Sequence, residues 1–361
     1  MKALIAIAML ALPVNPASAG PEAGNPAPVR TEVSRARFIF AWRGVPVGTV
    51  TLTLVPGSFT YDSEHLHLRS GRAGVLGRSA VIHVDGRGHI TDTDRERSVM
   101  PQALWVWRGP PPEGCVEARE ELSSPTRIGP HCVTSRGPTR AEGTMLGVAF
   151  RATYDREGWL QVLELGDSRF TRATPGERLK PPPELFSDGL PVEGDAPGPL
   201  ALVPARRDGP RAPAVPRRLE GMTEWTSAAA RALSAKVHAA FPDKGPSEAD
   251  WNRGGEGEAG GCLAHALRYA SLAREKGQRV GLVHGLLVVD GGPARPHAWV
   301  RVALRGGGTL DLDPTSLDPV RPDTHLALAL VPPEGPALEA GERWLSLLRG
   351  DFRVVRATRT E

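Results

Sequence analysis

Three side chains in the last part of the chain have the types and order that nucleophilic acyl transfer requires. Cys262 follows two glycines, His297 opens an Ala-Trp-Val segment, and Asp313 precedes Pro314. A thiol that gives its proton to an imidazole becomes a strong nucleophile, and a carboxylate on the far ring nitrogen fixes the tautomer of that imidazole. The order of nucleophile, base and orienting acid therefore predicts thioester chemistry on an amide.

The segment that follows Gly261 predicts a helix that begins at Cys262 and ends at Gly277. Its apolar residues keep the helical period, namely Leu263, Ala266, Leu267, Ala270 and Ala273. The free N–H groups at a helix start favour a negative charge, which raises the thiolate fraction of a cysteine placed there. The alternative interpretation of Cys262 is a buried apolar cysteine in the first turn.

Short apolar segments around His297 and Asp313 predict two antiparallel strands joined by a glycine turn. If the two residues lie opposite each other, the hairpin is centred on Arg305, beside three glycines, and a bulge adjusts the register. Asp311 points to the same face but would move the centre to Leu304, farther from the glycines. We therefore expect Asp313 to be the partner of the histidine.

Three motifs together resemble the core of the transglutaminase-like superfamily of papain-like thiol enzymes: Gly261-Cys262, His297-Ala298-Trp299-Val300 and Asp313-Pro314-Thr315. The resemblance covers roughly residues 223–355. It implies a papain-like α+β fold in which Cys262 is the nucleophile, His297 the general base and Asp313 the orienting acid. Two positions depart from the family pattern, since Gly261 replaces a frequent acidic residue and Thr309 a common tryptophan.

Neither a metal nor a cofactor is expected, because the acidic residues of this region lack the ligand spacing of a calcium loop. His265 could touch the Cys262 thiol, but a solvated or hydrogen-bonded structural role is the favoured interpretation. His284 lies mid-strand among apolar residues and is expected to be a satisfied core group. Trp299 has two interpretations, a wall of a substrate tunnel or simple packing, and packing is commoner.

Patterning along the chain predicts an α+β protein, with a β-rich N-terminal domain followed by a domain of helices and antiparallel strands, and the resemblance implies that this second domain is papain-like. The β-rich domain is expected at residues 33–174, where Val50, Leu52 and Leu54 alternate with threonines. A proline-rich linker follows at residues 175–221, because 11 prolines in residues 175–216 disfavour helix and central strand. Residues 222–361 form the transglutaminase-like domain, opening with a helix from about Thr223 to Phe241.

The N-terminus indicates export. Residues 1–19 have a basic start, an apolar run and an Ala-Ser-Ala cleavage site, which together predict a signal peptide, and residues 20–32 form a spacer. A periplasmic or secreted location permits disulfides, and Cys115 and Cys132 are the expected pair. No membrane span is expected in the mature chain, since no later stretch is long and apolar enough.

Charge excludes one class of partner. The net charge of +3 is spread along the chain, so nucleic acid is not an expected ligand. The predicted function is an exported thiol acyltransferase or hydrolase that acts on protein or peptide amides. The alternative is a non-catalytic envelope binding or scaffold protein that retains the fold.

Overall fold

A computed structural model describes eleven parts of the chain. These are residues 34–55, 57–67, 74–83, 101–106, 108–120, 127–194, 197–216, 219, 225–244, 259–334 and 338–357. The predicted signal peptide and spacer lie outside the described residues. The chain divides into two compact units, one of Met1–Leu66 and Val75–Pro181, the other of His67–Gly74 and Pro182–Glu361.

The first unit is built on one ten-stranded sheet, whose order is β4-β3-β2-β1-β10-β9-β8-β7-β6-β5. Its strands are β1 Ser34–Trp42, β2 Val45–Val55, β3 Ser58–His67, β4 Gly74–Ile82, β5 Gly114–Glu120, β6 Arg127–Gly137, β7 Arg140–Met145, β8 Val148–Tyr154, β9 Leu160–Leu165 and β10 Ser168–Arg172. A 3₁₀ helix at Pro101–Val106 contributes Trp105 to the core. These strands lie in the part of the chain where the period-two pattern predicts strands.

The alternation of apolar residues and threonines in β2 places the apolar side chains in the core, as predicted. Val50, Leu52 and Leu54 are buried in the core, whereas Thr51 and Thr53 are partly exposed on the other face. Successive side chains of a strand point to opposite faces, so a period of two places one set inside.

The expected cysteine pair is confirmed, because the sulfur atoms of Cys115 and Cys132 lie at bonding distance, 2.10 Å apart. The two residues face each other in register on β5 and β6. The bridge therefore joins two neighbouring antiparallel strands. Cross-strand placement is favourable because directly opposed residues bring their Cβ atoms close together.

The second unit combines helices with two sheets, so the molecule as a whole is of the α+β class. Its strands are β11 Val192–Glu193, β12 Leu200–Pro204, β13 Val280–Leu287, β14 Arg295–Ala303, β15 Thr309–Leu312, β16 His325–Val331 and β17 Phe352–Arg356. Its helices are α1 Ser227–Ala240, α2 Cys262–Arg274 and α3 Leu338–Leu348. The sheets have the orders β15-β14-β13-β16 and β11-β17-β12.

Part of the expected proline-rich linker is folded into this unit. β11 and β12 both pair with β17 and form the two edges of the three-stranded sheet. An edge strand leaves half of its N–H groups unpaired, so it tolerates proline where a central strand does not. The proline density of this segment thus excludes central strands, as expected, but not edge strands.

The first helix of this unit starts later than predicted. The Thr226 hydroxyl accepts a hydrogen bond from the Ala229 N–H (3.2 Å) and caps α1, so the helix begins at Ser227. Its buried residues are Ala230, Leu233, Ser234 and Val237. Ala229 lies four residues before Leu233 but is exposed, because a strict spacing of four drifts around a helix of 3.6 residues per turn.

The second helix and its sheet match the sequence closely. α2 packs on β13 and β14, and its buried residues share one core with the inward face of β14, including Ala266, Tyr269, Ala270, Ala298, Val300 and Val302. Gly277 follows α2 with φ +70° and donates its N–H to the Arg274 carbonyl oxygen (2.8 Å). This left-handed conformation ends the helix where predicted.

None of the helices in the described parts of the chain has the length and apolarity needed to cross a bilayer.

The burial of His131 in the first unit should make the stability of the folded protein depend on pH. Its ring stacks on Phe150, and neither ring nitrogen has a hydrogen-bond partner among the described residues. Burial lowers the pKa of His131 to about 4, from 6.5. The unfolded chain binds a proton at His131 near pH 6.5, whereas the folded protein binds it only near pH 4. The stability that the buried neutral ring contributes is therefore fully present above pH 6.5 and is lost as the pH falls toward 4.

We therefore expect the wild-type protein to lose about 2 kcal/mol more stability than His131→Leu between pH 7 and pH 5. Urea-dependent hydrogen exchange of peptides from β6 and β7 measures this difference. The comparison cancels all other titrating groups, and equal losses in the two proteins would show that His131 is not the responsible group.

Candidate functional site

Cys262 occupies the first position of α2, as the sequence predicts. The N-cap residue Gly261 is extended and has no side chain with which to cap the first-turn N–H groups. Position 260 requires a glycine, because a Cβ there would lie 2.5 Å from Ala264 Cβ and 3.2 Å from the Phe241 ring. The paired glycines thus let the chain approach α1 closely before the helix starts. The Cys262 residue is 4% exposed and belongs to the core beneath the helix.

The structure brings Cys262, His297 and Asp313 together at one end of the four-stranded sheet. The His297 Nε2–H donates a hydrogen bond to Asp313 Oδ2 at 2.8 Å. The Cys262 thiol lies close enough to the same imidazole to act on it through charge and hydrogen bonding. Because Nε2 faces the carboxylate, Nδ1 is the nitrogen left for the thiol.

Asp313 is held by several donors in a turn that follows β15. The Thr315 N–H donates to Oδ1 (2.8 Å), and the Ser316 hydroxyl donates to Oδ2 (3.0 Å). The Thr315 carbonyl in turn accepts a hydrogen bond from His238 Nδ1 of α1 (2.7 Å). The carboxylate is fixed before it meets His297, and its side chain is 0% exposed.

The hairpin explains why Asp313 rather than Asp311 meets the histidine. Val300 pairs with Leu312, which centres the hairpin on Gly306, one residue later than predicted. β15 ends at Leu312, so Asp313 lies just beyond the strand and reaches His297 diagonally.

Asp311 binds a different partner on the same face of the sheet. Its carboxylate receives two hydrogen bonds from Arg301, at 2.6 and 2.7 Å, and one from Trp299 Nε1 at 3.3 Å. Arg301 also donates to the Pro216 carbonyl oxygen, which ties the proline-rich segment to this sheet. The structure therefore assigns Asp311 to an ion pair that holds Trp299, and Asp313 to His297.

The electrostatics of the buried pair favour its ionised form. Burial lowers the pKa of His297, but Cys262 and Asp313 raise it by more, so that it lies above its ordinary value. Burial would raise the pKa of Asp313, but His297, His325 and the Thr315 N–H lower it by more. A buried carboxylate and an imidazole that share a hydrogen bond thus stabilise each other's charged state.

His325 is a site residue that sequence reasoning missed. It is the first residue of β16, and its Nε2 lies 3.9 Å from Asp313 Oδ2. Its ring contacts those of His297 and Trp299, with centroids 5.7 and 5.3 Å away. The sequence signal was a histidine at the start of an apolar strand, and that signal does not indicate which neighbour the ring will face. Among the described residues, His297, Asp313 and His325 form a group that could hold a metal ion.

Trp299 forms a wall behind the two histidines. It is 1% exposed and stacks on His297, so the packed interpretation of this residue is confirmed. Gly285 makes room for it, since a Cβ at that position would lie 2.4 Å from Trp299 Cη2 and 2.5 Å from the Leu326 carbonyl oxygen.

Two other histidines are placed as the sequence predicts. His265 is fully buried, and its ring nitrogens lie 2.9 Å from the Gly261 carbonyl oxygen and 2.7 Å from that of Phe241. It thereby connects the end of α1 to the start of α2 and has the expected hydrogen-bonded role. His284 lies in the core, and burial lowers its pKa to about 4.

The crowding at Gly285 leads to a stability prediction. We expect Gly285→Ala to lower the free energy of unfolding by about 1–3 kcal/mol, because the backbone of β16 or the Trp299 ring must shift. Gly308→Ala is the matched control, since a Cβ there meets nothing within 4 Å. Urea denaturation of the full chain compares the two variants, and equal losses would contradict the close packing of Trp299 on β13.

Comparison of the chain with protein-family models, with curated protein sequences and with solved structures found no match in any of the three. A proposal for the function of this protein therefore depends on the residues of the chain itself.

Proposed function

We propose that this protein is an exported thiol acyltransferase or hydrolase of the transglutaminase-like type, acting on protein or peptide amides. The observation that supports it best is the set of contacts around His297. One ring nitrogen faces the buried Asp313 carboxylate at 2.8 Å, while the thiol at the start of α2 acts on the same ring. This is the arrangement that activates a cysteine for attack on a carbonyl.

In the proposed reaction, His297 Nδ1 takes the proton of Cys262, and the sulfur attacks the amide carbonyl carbon. The carbonyl oxygen of the resulting tetrahedral intermediate becomes negative. The C–N bond then breaks, and the amine leaves with the proton held by His297. Water or a second amine attacks the remaining thioester and releases the acid or the new amide, which regenerates the thiol.

The start of α2 supports the charge that develops in this reaction. Gly261 leaves the first-turn N–H groups without a side-chain cap, and the Cys262 N–H belongs to the residue that carries the reacting sulfur. Backbone N–H groups aimed at a developing oxyanion can supply about 3 kcal/mol of transition-state stabilisation. The same residue thus provides the nucleophile and one oxyanion donor.

A periplasmic or secreted location belongs to this proposal. It rests on the N-terminal sequence pattern together with the bonded pair Cys115 and Cys132, since disulfides persist in oxidising compartments. The free Cys262 contrasts with that pair, because it is buried beside an imidazole instead of another thiol.

Alkylation kinetics test the activated thiol. In the presence of EDTA at pH 6.5, iodoacetamide should modify Cys262 about 10- to 100-fold faster in the wild-type protein than in His297→Ala, because an ordinary thiol is about 1% ionised at that pH. Asp313→Asn should also slow the reaction, since the imidazole loses its orienting carboxylate. His131→Leu, in the first unit, is the control and should react at the wild-type rate.

Each alkylation rate is divided by that of the same protein in denaturant, which reports the intrinsic reactivity of the thiol. If His297→Ala and the wild-type protein react equally fast, the thiol is not activated. The non-catalytic scaffold function would then be the better description.

Product analysis tests the acyl transfer itself. Envelope proteins incubated with the wild-type protein should acquire isopeptide bonds, deamidated glutamines or new chain ends, detected by mass spectrometry. Cys262→Ala should yield none of these, because the thioester cannot form. Identical products from both proteins would exclude Cys262 as the nucleophile.

A further inference from the structure

The second imidazole beside Asp313 has no role in the proposed reaction. The His325 side chain is 3% exposed, and its Nε2 lies 3.9 Å from Asp313 Oδ2, beyond hydrogen-bond distance. Among the described residues, this nitrogen has no hydrogen-bond partner. A buried polar atom aimed at a carboxylate without a bond to it requires an explanation.

One ring nitrogen of His325 is engaged with its neighbour in the chain. The Thr324 hydroxyl lies 2.9 Å from His325 Nδ1 and 3.3 Å from the Arg321 carbonyl oxygen. Nε2 is therefore the ring nitrogen that faces the Asp313 carboxylate. In the tautomer with its proton on Nδ1, Nε2 offers a lone pair, and a cation between Nε2 and Asp313 Oδ2 would bind both atoms.

We propose that His297 Nε2, Asp313 Oδ2 and His325 Nε2 form a binding site for a divalent transition-metal ion of the zinc type. One ligand atom of each residue lies within 4.8 Å of the others. Ligand atoms around tetrahedral zinc are about 3.4 Å apart, given bonds of about 2.1 Å, so shifts of roughly 1 Å or less complete the site. The fourth position is left to water.

The residues around the site support such an ion. Metal-binding imidazoles commonly hold a neighbouring group through their other ring nitrogen, and His325 Nδ1 lies 2.9 Å from the Thr324 hydroxyl. The Asp313 carboxylate keeps its bonds from the Thr315 N–H and the Ser316 hydroxyl. Two imidazoles and one carboxylate favour zinc over magnesium or calcium, which prefer oxygen ligands.

Metal binding would switch off the proposed reaction, and this consequence rests on the proposed function, whereas the binding itself does not. The ion takes the place of the proton on His297 Nε2, this proton moves to Nδ1, and the hydrogen bond to Asp313 is lost. With its one ring proton on Nδ1, the neutral imidazole can no longer accept the proton of the Cys262 thiol. The ion is therefore a reversible inhibitor.

Zinc titration of the full chain tests the site. After treatment with EDTA and its removal, the wild-type protein should take up one equivalent of Zn²⁺ in competition with a chromophoric chelator at pH 7. His325→Gln, which keeps a side-chain partner for Thr324 but cannot ligate zinc strongly, should bind at least about 100-fold more weakly. His83→Ala removes an exposed histidine of the first unit and should bind as the wild-type protein does.

Circular dichroism and the unfolding midpoint of His325→Gln show that the variant is folded before it is compared. Cys262→Ala should retain the zinc affinity, because the thiol is not one of the three ligands. If the wild-type protein binds zinc no more tightly than His325→Gln, or if Ca²⁺ or Mg²⁺ displaces the ion at equal concentration, the site is wrong.

Alkylation of Cys262 in the presence of zinc tests the consequence separately. One equivalent of Zn²⁺ should slow the alkylation of Cys262 in the wild-type protein and stop product formation. The alkylation rate and the product formation of His325→Gln should not change when the ion is added. Zinc uptake without any effect on product formation would overturn the inhibitory role alone. A protein that forms no products even in EDTA but still binds zinc would refute the proposed function and leave the site standing.

Discussion

Burial of the Asp313 carboxylate is the constraint around which the site of the second unit is organised. Removing an unpaired carboxylate from water would cost several kcal/mol, so a chain that buries one must surround it with donors. Thr315, Ser316 and His297 supply three hydrogen bonds, and the turn that presents them is anchored to α1 by His238. The position of the His297 ring follows from the position of the carboxylate.

A second buried charge stabilises the same face of the sheet. Arg301 pairs with Asp311 in a two-bond geometry that is directional as well as strong, and the pair holds the Trp299 ring by its N–H. Trp299 in turn packs against both His297 and His325, over the space that Gly285 leaves free. Asp311, in β15, thus has a structural role. Asp313, just after the strand, binds the His297 ring beside the Cys262 thiol.

Two imidazoles lie beside the Asp313 carboxylate, with His297 Nε2 at 2.8 Å and His325 Nε2 at 3.9 Å from Oδ2. In the proposed reaction, His297 keeps a proton on Nε2 and the carboxylate orients the ring toward Cys262. In the proposed metal-bound state, the same three side chains would be ligands and His297 could not act as the base. The two proposed states exclude each other because both need His297 Nε2 and Asp313 Oδ2.

The sequence alone predicted the local helices and strands and the three residues Cys262, His297 and Asp313. Helical and strand periodicities, paired glycines before Cys262 and the glycine turn near Arg305 depend on neighbours in the chain, and such patterns are visible without a structure. The alternating core of β2, the ends of α2 and the cysteine pair of the first unit were predictable for the same reason.

Only the tertiary structure decided which distant groups meet. A shift of one residue in the centre of the hairpin assigned Asp311 to Arg301, and the pairing of β16 with β13 brought His325 to Asp313. The proline-rich segment became two edge strands because β17, some 150 residues later, provided a partner for them. A change of register by one residue alters which side chains are opposed, so a local pattern that places the turn only approximately cannot name the partners. The partners of β16 and β17 lie far away in the chain, and their pairing depends on the packing of whole elements.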